Sequence, residues 1–323
     1  MTLVASLIAN PDRPAITDAV LAEARRVLGT EHQPRILHRG VAAELLAAGA
    51  TAEARGIEDR LRAALAAEPI DVAVLPGGPH RRKRLFLADM DSTMIEQECI
   101  DELAGTLGLR DRVAAITERA MRGEIAFKPA LRERVGLLAG LDVSVIDSLI
   151  RDTIRATPGG ATLVATMRAH GARTCLVSGG FTLFAEPIGA RLGFDEVRAT
   201  VLGVSGDRLT GTVEEPIVGR ETKRATLIAL RNKLGLGSEA TLAVGDGAND
   251  LAMLREAGLG VAFRAKPAVA AAAHARVRHG DLTALLYLQG FAASEFVGLP
   301  SACSAHRADA TFGDGRKEKG RRL

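Results

Sequence analysis

Four short apolar segments along the middle of the chain constrain its fold more than any other feature. Each is four or five residues long and ends in a polar or glycine-rich turn: Leu85 to Ala88, Arg173 to Val177, Thr241 to Val244 and Leu259 to Phe263. Helical segments separate them, and strands that alternate with helices form parallel sheets. The sequence therefore predicts an α/β fold with a doubly wound (Rossmann-like) parallel sheet, whose site lies at the carboxyl ends of its strands.

The composition agrees with helices packed on such a sheet. The 323 residues are 47% hydrophobic and 25% charged, with one Tyr and no Trp, so Ala, Leu, Val and Ile must build the core. Aromatic platforms for stacking nucleic-acid bases are nearly absent. No apolar stretch approaches the roughly 20 residues that cross a bilayer. We expect no nucleic-acid partner and no membrane partner.

The region before the first of these strands is predicted to form a separate small α+β unit, residues 1–80. It contains a predicted strand from Leu3 to Ala9, helices rich in Ala and Leu, and a predicted strand from Asp71 to Leu75. The Pro/Gly cluster at 76–79 is typical of a boundary between domains.

The rest of the chain is predicted to form a core over residues 81–297 and a tail over residues 298–323. Along the sequence, the first two core strands are separated by many more residues than one helical crossover needs. Because this interval is helically periodic, we expect a helical cap inserted at about 95–156. The tail is polar, glycine-rich and basic, which predicts disorder and no catalytic role.

The cysteines and the first residues indicate the cellular compartment of the protein. Cys99, Cys175 and Cys303 are widely spaced and odd in number, which argues against a disulfide framework and against a zinc site. The first residues lack the basic segment that opens a secretory signal. We therefore expect a cytoplasmic protein.

Acidic residues follow two of the predicted strands. Asp89 and Asp91 come directly after the first strand, and Asp246 and Asp250 follow the strand from Thr241. The carboxyl ends of parallel strands open on one edge of a sheet, so these acids can surround one ion. A site made only of oxygen donors suits Mg²⁺, the usual cation where phosphate is handled. The sequence therefore predicts a Mg²⁺ cofactor and a phosphate ester as substrate.

Two further segments support a phosphate site. Ser178 and Gly179 follow the second strand and offer a hydroxyl and backbone N–H groups near a helix start, which can cradle an anion. Lys223 supplies a positive charge upstream of the strand from Thr241. Taken alone, such a turn is usually only a turn and such a lysine is usually solvated. Their position beside the acids favours phosphate binding.

Four segments in order carry a resemblance to a known family: DMDST at 89–93, VSGGF at 177–181, Lys223, and GDGAND at 245–250. They resemble the haloacid dehalogenase superfamily of phosphotransferases and, within it, the phosphoserine phosphatases. The resemblance spans roughly residues 81–297, and all four elements in this order are far more specific than DxDST alone.

The resemblance implies roles for the residues that match these motifs. Asp89 would be the nucleophile that forms a phosphoaspartyl intermediate, and Asp91 the general acid and base. The metal would be held by Asp89, the backbone carbonyl of Asp91, and Asp246, with Asp250 as a further partner. Asn249 would support the phosphate site.

The resemblance also implies the substrate, O-phospho-L-serine, which would be hydrolysed to L-serine and phosphate in the last step of serine biosynthesis. The family binds the substrate ammonium with a glutamate that falls on Glu98, and the carboxylate with an arginine that falls on Arg134. Met121 and Phe127 fall where the family lines the pocket from the cap. Without the motif match, all four would be ordinary helix-surface or core residues.

Residues 1–80 resemble, by position and coarse pattern, the small-molecule-binding domain of the ACT type. Serine sensing by this region is one hypothesis. Dimerisation and plain structural support are others, so a homodimer stays among the expected assemblies.

Two rival functions remain open. The first is a phosphatase or phosphotransferase of the same superfamily that acts on another small phosphomonoester. The second is a catalytically idle regulatory protein that binds an amino acid through its first domain and nucleic acid through its basic tail; intact Asp89, Asp91, Lys223 and Asp246 argue against it. The chain has no G-x-x-x-x-G-K-[ST] loop, which disfavours a kinase of that type.

Overall fold

The structure, a computed structural model, describes residues 2–122 and 124–298. They form three sheets: a four-stranded antiparallel sheet, a six-stranded parallel sheet and a small two-stranded sheet. The first unit comprises β1 (Leu3–Ala9), α1 (Asp18–Leu28), β2 (Arg35–His38), β3 (Ala42–Ala47), α2 (Ala54–Ala64) and β4 (Ile70–Pro76).

The remaining strands are β5 (Leu85–Ala88), β6 (Arg173–Phe181), β7 (Glu196–Thr200), β8 (Leu202–Ser205), β9 (Arg208–Val213), β10 (Thr241–Gly245), β11 (Leu259–Phe263) and β12 (Ala275–Val277). The remaining helices are α3 (Cys99–Thr106), α4 (Arg110–Met121), α5 (Phe127–Gly136), α6 (Ser144–Asp152), α7 (Gly160–Ala169), α8 (Thr182–Leu192), α9 (Arg220–Lys233), α10 (Leu251–Glu256), α11 (Pro267–Ala272) and α12 (Ala284–Leu288).

The parallel sheet has the strand order β12-β11-β10-β5-β6-β7. The chain enters at β5 in the middle, adds β6 and β7 on one side, and then crosses to β10 on the other. The strand order therefore reverses at β5, and in α/β sheets ligands bind at the carboxyl ends of strands at such a point. This order confirms the predicted fold class and the four predicted core strands. Sequence analysis missed β7, β12 and the β8–β9 hairpin.

The antiparallel sheet has the order β2-β3-β1-β4 and is buried on both faces along most of β1, β3 and β4. Alternate β1 residues such as Leu3, Ala5 and Leu7 pack in a cluster with α1 and α2. Ile8 and Ala42 instead pack in the main cluster with the parallel sheet. Because successive strand residues face opposite sides, this sheet lies between its own helices and the cluster that contains the parallel sheet.

Sequence analysis missed β2 and β3 in the first unit. Helices rich in Ala and Leu were expected between the outer strands, and α1 and α2 match that expectation. The Ala- and Leu-rich segment Ala42–Ala47 instead forms β3, which pairs with β1 and β2. Almost all of its residues are buried, and pairing in the sheet outweighs their preference for a helix.

Five of the described helices lie between β5 and β6, and the first four of them, α3–α6, fall inside the interval predicted for the cap. The chain that leaves the core and the chain that returns to it run side by side, with a bridge between Ile95 and Ala156. The N–H of Thr157 also donates to the carbonyl of Met94 over 3.0 Å. The inserted helices are thus joined to the core by two paired segments.

A buried aspartate joins the first unit to the core. Asp71 on β4 accepts hydrogen bonds from the backbone N–H groups of Arg278, His279 and Gly280, at 2.8 to 3.3 Å. Nearby, buried Glu44 on β3 forms an ion pair with Arg81. Polar contacts therefore supplement the apolar packing between the two sheets.

Two expectations concern parts of the chain that the structure describes only partly. The predicted tail lies outside the described residues apart from Gly298, and so does Cys303. Cys99 and Cys175 are buried free thiols. None of the helices in residues 2–122 and 124–298 is long and apolar enough to cross a membrane.

We expect Asp71→Ala to destabilise the protein by about 3 kcal/mol, because backbone N–H groups of the 278–280 segment lose a charged acceptor. The measurement is urea denaturation. Asp59→Ala is the matched control, since Asp59 is exposed on α2 and should change stability by less than about 0.5 kcal/mol. Equal midpoints for the two variants would contradict the role given to Asp71.

Candidate active site

The site begins where β5 ends. Asp89 extends the strand by one residue, since its N–H donates to the carbonyl of Val244 on β10 over 3.0 Å. A wide turn, Met90–Met94, follows and is closed by the N–H of Ile95 donating to the carbonyl of Met90. Ser92 adopts a left-handed φ of 54° inside this turn. The turn carries the chain from the sheet towards the inserted helices.

Lys223 lies at the centre of the site, near the start of α9. Its Nζ is 2.5 Å from Oδ1 of Asp89 and 2.7 Å from Oδ1 of Asp250, and its side chain is completely buried. Burial alone would lower the pKa of Lys223, but the charges of Asp250 and Asp89 and hydrogen bonds to both raise it. The ammonium is therefore charged and bridges the ends of β5 and the β10 turn.

Three carboxylates lie close enough together to share a cation. Oxygens of Asp89, Asp246 and Asp250 lie within 4.8 Å of one another, and Thr93 donates to Asp246 over 3.3 Å. The donors are all oxygens, which hard cations such as Mg²⁺ prefer. One ammonium cannot neutralise three carboxylates, so the group fits a divalent cation.

The pKa values of these acids reflect the excess of negative charge. Burial and then the charge of Asp250 raise the pKa of Asp89, while Lys223 offsets part of the rise. Burial and then Asp250 likewise raise the pKa of Asp246. A further positive charge beside these groups would favour their ionised forms.

Asp91 occupies a different position from the three grouped acids. Its Oδ1 accepts from the N–H of Cys99 over 2.9 Å, and its Oδ2 accepts from the Ser178 hydroxyl over 3.2 Å. Its side chain is not part of the carboxylate group that lies within 4.8 Å, as far as the described residues go. Asp91 thus links the start of the cap to the end of β6.

The end of β6 is shaped by glycines. The Ser178 hydroxyl accepts from the N–H of Gly180 over 2.9 Å. A Cβ on Gly180 would lie 2.7 Å from Oδ2 of Asp91, so any side chain there would displace that carboxylate. Instead of the predicted turn at Ser178 and Gly179, strand β6 continues to Phe181, and α8 starts at the next residue.

Two of the four predicted cap residues, Glu98 and Phe127, contact residues next to the grouped acids or at the end of β6. Glu98 accepts from the Ser92 hydroxyl over 2.7 Å. Although the residue as a whole is exposed, burial of its carboxyl and then the charge of Asp91 raise the pKa of Glu98 to about 7. The Phe127 ring lies over the backbone of Gly179 and Gly219, within 3.3 to 3.8 Å of where their Cβ atoms would be.

Arg134 lies on α5, and both of its hydrogen bonds are to residues of the cap. Its Nη1 donates to the Thr117 hydroxyl over 3.2 Å and its Nε to the carbonyl of Ala130 over 3.3 Å. Burial lowers the pKa of Arg134, and the charges of Asp101 and Glu98 partly offset this. Met121 ends α4, and its side chain lies outside the described residues.

Four polar residues around the site and around Arg134 were given no role from the sequence. Ser92 and Thr93 lie within the quoted DMDST motif, so that motif was the available signal for both. Thr117 and Asp101 are isolated polar residues on helices, and nothing in the sequence singles them out. Asn249, which was predicted, is half-buried in the turn after β10 beside Gly247.

Comparison with known proteins identifies the family. The sequence model of the haloacid dehalogenase-like hydrolases matches residues 86–255, which is more than half of the chain and includes Asp89, Ser178, Lys223 and Asp250. The chain belongs to the haloacid dehalogenase-like hydrolases. Its grouped acids and buried lysine therefore lie within the part of the chain that defines the family.

Individual members of the family are similar over much of the chain. A phosphoserine phosphatase of Streptomyces coelicolor is 45% identical over 246 residues, which cover 74% of this chain and 60% of that protein. A probable phosphoserine phosphatase of Schizosaccharomyces pombe is 46% identical over 211 residues, which cover 65% of this chain and 70% of that one. The chain thus matches about three fifths of the Streptomyces protein's length.

A solved structure extends the similarity to the first unit. The unliganded probable phosphoserine phosphatase of Vibrio cholerae is 31% identical, with a TM-score of 0.74. The match covers 91% of this chain and 88% of that one. This coverage is wider than the family match over residues 86–255 and takes in most of the chain on either side of it.

We expect Lys223→Met to destabilise this family member by about 3–5 kcal/mol near neutral pH, because Asp89 and Asp250 would remain buried without their cation. Burial already raises the pKa of Asp89, and removal of Lys223 raises it further. A carboxyl whose folded-state pKa lies above its unfolded value favours folding at low pH and loses that contribution as pH rises. The loss of stability in Lys223→Met should therefore become smaller as the pH is lowered from about 8 to about 5.

The measurement is urea denaturation in the presence of a chelator at several pH values. Lys233→Met is the matched control, because Lys233 lies on the same helix and is exposed. A deficit that stays constant across this pH range would contradict the assigned electrostatic role of Lys223.

Proposed function

We propose that this chain hydrolyses O-phospho-L-serine to L-serine and phosphate with the help of Mg²⁺. The observation that carries the proposal is the buried Lys223 between Asp89 and Asp250, with Asp246 completing the acidic group. The names of the similar proteins from Streptomyces coelicolor and Schizosaccharomyces pombe support the choice of substrate.

Asp89 acts as the nucleophile. A carboxylate needs no base to become nucleophilic, but it is repelled by a phosphate dianion. Lys223, 2.5 Å from Asp89, offsets that repulsion. The Asp89 oxygen forms a bond to phosphorus while the bond from phosphorus to the serine oxygen breaks, which leaves a phosphoaspartyl enzyme.

Asp91 moves the protons in both half-reactions. In the first, its protonated carboxyl gives a proton to the departing serine oxygen. In the second, its carboxylate takes a proton from the water that attacks phosphorus, and the Asp89 carboxylate leaves. The hydrogen bond from the Cys99 N–H holds the Asp91 carboxyl in place for both transfers.

Asp89, Asp246 and Asp250 would hold the Mg²⁺ ion together with the backbone carbonyl of Asp91. Such an ion supplies positive charge that polarises the phosphoryl oxygens. The Ser178 hydroxyl, the Gly179 N–H and Asn249 would bind the remaining phosphate oxygens, next to the Lys223 ammonium.

The cap supplies substrate choice, because the core recognises only phosphate. Glu98 would bind the substrate ammonium and Arg134 its carboxylate, two opposite charges placed apart. Phe127, which lies over Gly179 and Gly219, and Met121 would line the pocket from the cap side. The cap at about 95–156 and the core over 81–297 would act as separate domains, preceded by the ACT-like residues 1–80.

We expect Mg²⁺-dependent phosphate release from L-phosphoserine to exceed release from phosphosugars and phosphoethanolamine. Asp89→Asn should lower the rate by several orders of magnitude, because it removes the nucleophile. Asp111→Asn is the matched control, since Asp111 is exposed on α4 and carries no assigned role.

Equal rates across the panel would keep the phosphoaspartyl chemistry but reject the roles of Glu98 and Arg134. Transfer of the phosphoryl group to an added alcohol instead of water would favour a phosphotransferase. No release from any compound would reject the proposed function.

Mg²⁺ should also stabilise the folded chain, by about 2.7 kcal/mol at a concentration 100 times its Kd. The measurement is the thermal midpoint with and without MgCl₂, with NaCl of matched ionic strength as the control. Asp246→Asn should weaken this stabilisation, since it removes one of the three carboxylates. An equal shift in the variant would contradict the metal role of Asp246.

A further inference from the structure

The guanidinium of Arg134 is held by neutral groups. Its Nε donates to the carbonyl of Ala130, one turn earlier on α5, and its Nη1 donates to the hydroxyl of Thr117 on α4. Within the described residues, Arg134 forms no ion pair at 4.0 Å or less. A half-buried arginine is thus fixed in position while its charge stays without a directly paired carboxylate.

Thr117 is itself held in a defined orientation. Its hydroxyl donates to the carbonyl of Val113, one turn earlier on α4, over 3.0 Å. A hydroxyl has one proton to donate, so with that proton directed at Val113 its oxygen lone pairs face the guanidinium. Arg134 on α5 therefore donates to Thr117 on α4, which in turn donates to Val113, and this chain of hydrogen bonds joins the two helices.

The nearby acids do not form an ion pair with Arg134 in place of its hydrogen bond to Thr117. Asp101 and Glu98 raise the pKa of Arg134 through their charges, yet neither reaches ion-pair distance. A carboxylate at position 117 would pair with the guanidinium and compete with a carboxylate on a ligand. A neutral hydroxyl orients Arg134 without neutralising it, which suits an arginine whose partner arrives with the substrate.

We propose that Thr117 is a positioning residue for substrate discrimination: it orients Arg134 so that the enzyme prefers phosphomonoesters that carry an α-carboxylate. The proposal rests on the proposed function, in which Arg134 binds the carboxylate of phosphoserine. Thr117 acts only through Arg134 and touches neither the phosphate nor the reacting atoms.

The test compares two substrates that differ only in the carboxylate, L-phosphoserine and phosphoethanolamine. Thr117→Val keeps the shape of the side chain and removes the acceptor, whereas Thr117→Ser keeps the hydroxyl. For Thr117→Val we expect the ratio of the two kcat/KM values to fall roughly tenfold. The loss should lie mainly in KM for phosphoserine, and Thr117→Ser should restore the ratio to within about twofold of the unmodified enzyme.

A double variant separates positioning from a folding defect. If Thr117 acts through Arg134, Thr117→Val should change the ratio no further once Arg134→Ala is present. Independent, multiplicative effects would overturn the proposal, and so would equal losses of kcat/KM on both substrates or an unchanged ratio in Thr117→Val.

The unmodified enzyme separates this inference from the proposed function. If it hydrolyses phosphoserine in preference to phosphoethanolamine but the Thr117 variants keep that preference, only the role of Thr117 is rejected. If it shows no preference, the proposed choice of substrate fails, and the roles of Arg134 and Thr117 fall with it.

Discussion

The buried ammonium of Lys223 is the contact on which the site depends. Two carboxylates at the ends of neighbouring strands would repel each other and lose hydration, and the lysine between Asp89 and Asp250 offsets both costs. The strand order places β5 beside β10, so the two acids reach one cation. With Asp246 added, negative charge remains in excess, and this favours a divalent cation beside the three acids.

The first unit is joined to the core by more than its sheet face. Asp71 holds the 278–280 segment. Two residues after that segment, the N–H of Leu282 donates to the carbonyl of Pro158 over 3.0 Å. Pro158 follows directly on Thr157, which pairs with Met94 where the inserted helices return to the core. The antiparallel sheet and the base of the cap therefore share one set of hydrogen bonds.

The sequence predicted the elements whose signal is local. The apolar segment Leu85 to Ala88 ends in charged residues, so both the strand and the site at its carboxyl end could be predicted. Strand β3 could not, because Ala42–Ala47 is buried on both faces and shows no alternation, and only pairing with β1 makes it a strand. Thr117 was missed for a different reason: its partner Arg134 is 17 residues away, on another helix, and the pair matches no motif.

The measurement that tests the account most directly is identification of the residue that carries phosphate during turnover. Phosphoserine labelled with ³²P is mixed with the enzyme and Mg²⁺, the reaction is quenched with acid within milliseconds, and the labelled peptide is sequenced. The account predicts an acid-stable, hydroxylamine-labile acyl phosphate on the peptide that contains Asp89. Label on another residue, or rapid phosphate release with no label on Asp89 at any time, would contradict it.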